Sequence, residues 1–119
     1  MARLRLSAPA RADIAAILAL SRERFGGAAS DRYRTLLTAA IRRIASNPEG
    51  RSTVSRPEIG DGLRSFHLRH SRNETGTTAV ARPVHVIFFR LTGFGVVEIV
   101  RILHERMEPE GHLGGAPDR

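Results

Sequence analysis

Hydrophobic positions change their period twice along this chain. Residues 3–6, RLRL, alternate polar and apolar side chains in the manner of a short strand. From Ser7 the period lengthens. Ser7 can cap a helix that carries Pro9 in its first turn, and Ile14, Ile17, Leu18 and Phe25 fall on one face before Gly26-Gly27 stops it. The pattern over residues 28–46 is clearer still. Tyr33, Leu36, Leu37, Ala40, Ile41 and Ile44 step by three and four, with Ile41 at the centre of the apolar face, until Asn47-Pro48 ends the run. Residues 48–62, PEGRSTVSRPEIGDG, are turn formers that carry the chain to another layer. Alternation then returns in residues 63–70 (LRSFHLRH), 84–91 (VHVIFFRL) and 96–103 (VVEIVRIL). The order strand, helix, helix, strand, strand, strand predicts an α+β fold of two layers. Its last three strands form an antiparallel meander, and a helical hairpin covers one face of the antiparallel sheet.

A four-residue loop at 92–95 would set Leu91 opposite Val96. That register places Val86, Phe88, Arg90, Val97, Ile99 and Arg101 on one face, and Ile87, Phe89, Glu98, Val100 and Ile102 on the other. Both faces are apolar in their middle, yet two helices cover only one. The second face is therefore expected to meet a partner, or else to be covered by the tail or the long loop.

Composition narrows the classes. The 119 residues suit a single domain, read here as 1–113 followed by a flexible tail at 114–119, where glycine and proline dominate. With 41% apolar and 26% charged residues, the chain should fold. No apolar run is long enough to span a membrane. The short run from Ile14 to Leu20 follows Asp13 with no basic flank directly before it, so no export signal is read and the cytoplasm is the expected compartment. Cysteine is absent, which excludes disulfides and cysteine-based zinc sites or nucleophiles.

Nineteen basic residues against twelve acidic ones give a net charge of +7, which favours an anionic partner. All nineteen are arginine, which clasps carboxylates and phosphates but stays protonated and makes a poor general base. His67 and His70, three apart on an expected strand, point to opposite faces and cannot share a metal, so no metal site is read. Gly93-Phe94-Gly95 joins two strands instead of opening a helix, so it is a turn and not a phosphate loop. The best-patterned helix is needed for the core, which leaves no separate recognition helix for DNA.

Several separated segments resemble one family. LSAPARADIAAI is similar to the first helix of ParE-type toxins of the RelE/ParE toxin–antitoxin superfamily, RFGGAASDRY to their interhelical corner, and ASNPEGR to the end of their second helix. GLRSF, HVIFFR and VEIVRILHER resemble the last three strands and the arginine-rich segment that follows. Two departures stand out: SRNETGTTAVARP at 71–83 is a longer link than usual, and Phe89 stands where many relatives have tyrosine.

The resemblance implies a RelE/ParE-like fold and the toxin of a type II toxin–antitoxin system, such as those that stabilise plasmids, acting as a poison of DNA gyrase. It also implies a cognate ParD-like antitoxin with an acidic, apolar C-terminal segment, a toxin–antitoxin hetero-oligomer and no cofactor. The alternative is a RelE-like ribosome-dependent mRNA endoribonuclease, and a third reading is a basic binding module without toxicity. Arg64, Arg90, Arg101, His104 and Arg106 are the expected antitoxin- or target-binding residues. RNA cleavage would need a proton acceptor. His104, with Glu105 or Glu98, is the catalytic candidate near the cluster.

Overall fold

The computed structural model describes residues 2–78 and 80–113; the tail expected at 114–119 lies outside the described residues. Strand β1 (Arg3–Leu6) leads into helix α1 (Ala8–Phe25), and helix α2 (Gly27–Ser46) returns against it. A short strand β2 (Val54–Ser55) precedes β3 (Leu63–His67). After a 3₁₀ segment over Leu68–Thr78 that is broken by a kink at Gly76 come β4 (His85–Leu91), β5 (Val96–His104) and a one-turn helix α3 (Glu110–Leu113).

The helix boundaries follow from local chemistry. The Ser7 hydroxyl accepts the Ala10 N–H at 3.0 Å, which satisfies one of the donors a helix start leaves unpaired. Pro9 sits in the first turn, where no N–H is missed. Between the helices Gly26 takes φ 93°, a backbone conformation open mainly to glycine, and this permits the tight corner. One expectation for α1 fails here: Phe25, the last residue of the helix, is 74% exposed. On α2 the deeply buried positions are Leu36, Leu37, Ala40 and Ile44, while Ile41 is half-buried at the side of that stripe.

The strands form one sheet in the order β1-β5-β4-β3-β2. The expected meander is present, β3 with β4 and β4 with β5 both antiparallel. β1, however, joins β5 in parallel, so the sheet is mixed. Its direction is set by the start of α1, which β5 holds: the Ser7 N–H donates to the Ile99 carbonyl at 3.0 Å and the Ser7 hydroxyl to the Val100 carbonyl at 2.7 Å. Two other boundaries differ from the sequence reading. The strand expected over 63–70 ends at His67, where the chain tightens into the 3₁₀ segment, and β2 adds a fifth strand.

The β4–β5 register also departs from expectation. Leu91 faces Val97, not Val96. The Thr92 N–H donates to the Val96 carbonyl at 2.8 Å, so the loop holds three residues, 93–95, with Gly95 at φ 73°. That is the three-residue hairpin closed by a left-handed glycine. A bulge between Phe88 and Phe89 then leaves Val100 without a partner and shifts the pairing again, to Phe88 opposite Arg101. The slip and the bulge regroup the faces. Ile87, Phe89, Val97, Ile99 and Ile102 now pack together under the helices, and Phe88, Leu103 and Leu63 lie on the far side. The far side is covered from within the chain by Leu113 of α3 and, from the loop before β3, Ile59.

Candidate functional site

The five arginine and histidine positions singled out in the sequence do not form one cluster. Arg64 pairs across the ladder with Phe89, whereas Arg90 pairs with Leu63, so the two guanidiniums start on opposite faces of the sheet. Arg64 Nη2 donates to the Thr53 hydroxyl at 2.8 Å, and Arg90 Nε to the Asp61 carbonyl at 3.1 Å. Arg101 is engaged more firmly. Its Nε and Nη2 clasp the Asp13 carboxylate of α1 at 2.7 and 2.8 Å, and the same carboxylate accepts the Ile102 N–H at 2.9 Å. This forked, partly buried pair raises the Arg101 pKa above its ordinary value and fastens α1 to β5. Phe89, noted above as a departure from the resemblance, is fully buried in the main core, so a hydroxyl there would enter the core and not a surface site.

RILHER ends at a turn after β5. There the Arg106 N–H donates to His104 Nδ1 at 3.1 Å and Arg106 itself is exposed. The His104 ring meets the edge of His85 with centroids 5.5 Å apart. His85, at the start of β4, is in turn bonded through Nδ1 to the Tyr33 hydroxyl at 2.6 Å. Neither Tyr33 nor His85 stands out as a site residue in the sequence. Tyr33 belongs by its period to the core face of α2, and it is indeed only 9% exposed, yet its hydroxyl emerges beside the start of β4 and accepts the Val84 N–H at 3.1 Å. The signal was faint but real: alternation puts His85 on the same face as Ile87 and Phe89, the face that α2 covers.

Protonation follows from these bonds. The phenol oxygen of Tyr33 already accepts the Val84 N–H, so its own proton goes to His85 Nδ1, and the ring keeps its hydrogen on Nε2. Burial first, and then the neighbouring imidazoles of His104 and His67, push the His85 pKa down to about 4, leaving it neutral near pH 7. Burial raises the Tyr33 pKa, so the phenol stays protonated. His67 accepts the Arg69 N–H at Nδ1 and places Nε2 2.7 Å from Glu105, whose pKa is lowered chiefly by that bond. In all three rings of the cluster the lone pair of Nδ1 is already occupied.

Tyr33, His85 and His104 form the polar floor of a pocket of about 530 Å³ at the corner of the helical hairpin. Its walls are Ile17, Leu20, Phe25, Val80 and Val84, and Arg24, Arg32 and Arg82 stand around it. None of these three arginines has an ion-pair partner among the described residues. Described histidine and carboxylate side chains form no group of three able to hold a metal ion, and no described helix is long and apolar enough to cross a membrane.

Comparison with known proteins completes the description of the site. Residues 4–109 match the family model described as ParE toxin of type II toxin–antitoxin system, parDE. Toxin ParE1 of Mycobacterium tuberculosis is 31% identical over 112 residues, spanning 93% of this chain and 97% of that protein. Toxin ParE1 of Caulobacter vibrioides is 35% identical over 111 residues, spanning 92% and 96%. Among solved structures, a chain of the chromosomal ParDE TA system from P. aeruginosa superposes with a TM-score of 0.64 at 19% identity, covering 87% of this chain and 96% of that one, a likeness of fold.

Proposed function

The chain belongs to the ParE toxin family of type II toxin–antitoxin systems, and from that premise we propose that it poisons DNA gyrase by binding and is neutralised by a ParD-like antitoxin. The acidic, apolar C-terminal segment expected of that antitoxin suits a surface with this excess of arginine. Arg64, Arg90, His104 and Arg106 remain candidates for contact with antitoxin or target. Arg101 is a candidate only if a partner displaces or shares Asp13.

The observation that carries binding over RNA cleavage is the state of the imidazoles. Cleavage by the 2′-hydroxyl needs a base with a free lone pair. His104 gives its lone pair to the Arg106 N–H, His85 to Tyr33 and His67 to the Arg69 N–H, while the Glu105 carboxylate is bonded to His67. Lysine is absent, and the single tyrosine is held protonated. The cluster is rich in donors and poor in bases.

A paired assay tests the reading. Antitoxin-free protein is expected to inhibit supercoiling by gyrase or to accumulate cleaved DNA, and His104→Ala to alter that effect by less than about tenfold, as most single truncations in an interface do. A ribosome-dependent cut in messenger RNA that falls by roughly 10²–10⁴-fold in the same variant, with gyrase untouched, would establish the nuclease alternative.

A further inference from the structure

The pocket at the hairpin corner has a chemical bias of its own. It is lined by aliphatic and aromatic side chains, and no aspartate or glutamate lines it. Two nearby acids are already engaged, Glu105 with His67 and Asp13 with Arg101. Of the polar side chains that line it, the Ser21 hydroxyl can donate or accept and Tyr33 is taken up by His85 and the Val84 N–H, which leaves the histidines and arginines, all donors, in the majority. With Nδ1 occupied, each of His85 and His104 keeps Nε2–H, for which no acceptor is found among the described residues. The guanidiniums of Arg24, Arg32 and Arg82 stand at the rim, exposed and without ion-pair partners. A ligand that only accepts hydrogen bonds and carries negative charge complements this set, and an apolar body complements the walls of Leu20, Phe25 and Val80. Water or a neutral polar ligand satisfies the donors but leaves the three cations uncompensated.

We propose that this pocket is a receptor for a small organic oxyanion, a phosphate or carboxylate head on an apolar body, with the head held by the His85 and His104 Nε2–H groups and the rim arginines. Its volume of about 530 Å³ lies within the range of small-ligand sites. The site is independent of the gyrase reading. Loss of one leaves the other standing, because ligand binding is measured on the free protein without gyrase.

The protein carries its own reporter, since its only tyrosine is Tyr33 on the pocket floor and it has no tryptophan. Hexyl phosphate, which does not absorb where tyrosine does, is titrated into antitoxin-free protein and Tyr33 emission followed. A saturable change is expected, with inorganic phosphate about tenfold weaker or more, since it lacks the apolar body, and hexanol without effect at matched concentration. The triple variant R24S/R32S/R82S is expected to weaken hexyl phosphate by about tenfold or more. Its thermal midpoint should be unchanged, because all three side chains are exposed. Hexanol acting as well as hexyl phosphate, or the triple variant binding like the wild type, would overturn the proposal. So would an acidic, apolar peptide that quenches Tyr33 while hexyl phosphate does not, which would make the pocket a peptide seat.

Discussion

His85 is the single residue whose behaviour depends most on its surroundings. Its pKa falls from 6.5 in the open chain to about 4 in the fold, with burial the largest cause. Between those values the unfolded chain holds a proton that the native chain does not, so stability falls as pH drops from about 6.5 towards 4. The loss attributable to His85 reaches up to about 2 kcal/mol at pH 5, less whatever partial solvation of the ring recovers. Urea unfolding at pH 7.5 and 5 checks this in the wild type and in His85→Gln, which can still accept from Tyr33 but does not titrate. The variant should lose less stability on acidification; equal losses would show that His85 is not the group responsible. Sequence alone missed this residue for a physical reason. A histidine opening a strand is usually solvated, and its contact with Tyr33 joins positions 52 apart in the chain through a register that period counting does not supply. His104, by contrast, was visible in RILHER, but its hydrogen bond to the Arg106 N–H was not, and that bond removes the base its position suggested.

Among the elements, the helices were legible and the strand pairing was not. The cap at Ser7, the stop at Gly26 and the three-four stepping on α2 are local signals, and all three are where the sequence placed them. The line of greatest burial on α2 runs through Leu36, Ala40 and Ile44, beside Ile41 and not through it. Leu36 is fully buried and Ile41 only in part, so Leu36→Ala is expected to cost about 2–5 kcal/mol and Ile41→Ala roughly half of that. Thermal or urea unfolding of both variants orders them, and a larger loss at Ile41 would mean that the helix is rotated on the sheet. The β4–β5 hairpin shows the opposite case. Counting from a loop of four residues missed the left-handed Gly95 that makes it a loop of three, and one residue of slip sends every side chain of a strand to the other face. The bulge then restores Ile102 to the main core beside Ile99. A glycine at the third position of a Gly-Phe-Gly turn was the available signal.

For the whole molecule the main question raised by the sequence was what covers the second face of the sheet. A bare apolar sheet face would need a partner, and a toxin released from its antitoxin would then expose it. Here the chain supplies the cover itself. Leu113, only 7% exposed, packs with Leu63, Phe88 and Leu103 on that face, and Ile59, Val86 and Val100 pack around them. α3 is a single turn and cannot hold this position by its own helical stability. Its anchors are the Leu113 side chain and a link in which Arg101, fixed by Asp13, donates through Nη1 to the His112 carbonyl at 3.4 Å. Leu113→Ser should therefore release α3 and bare Phe88 and Leu103 while the helical layer stays folded. The expected cost is about 1.5–3 kcal/mol, the usual worth of burying one leucine, accompanied by binding of a hydrophobic dye and by self-association at raised concentration. Equilibrium sedimentation with dye fluorescence checks both. A variant that loses stability but stays monomeric and dark to the dye would mean that Ile59 and its loop shield the face without α3, and would put the essential cover on the loop before β3.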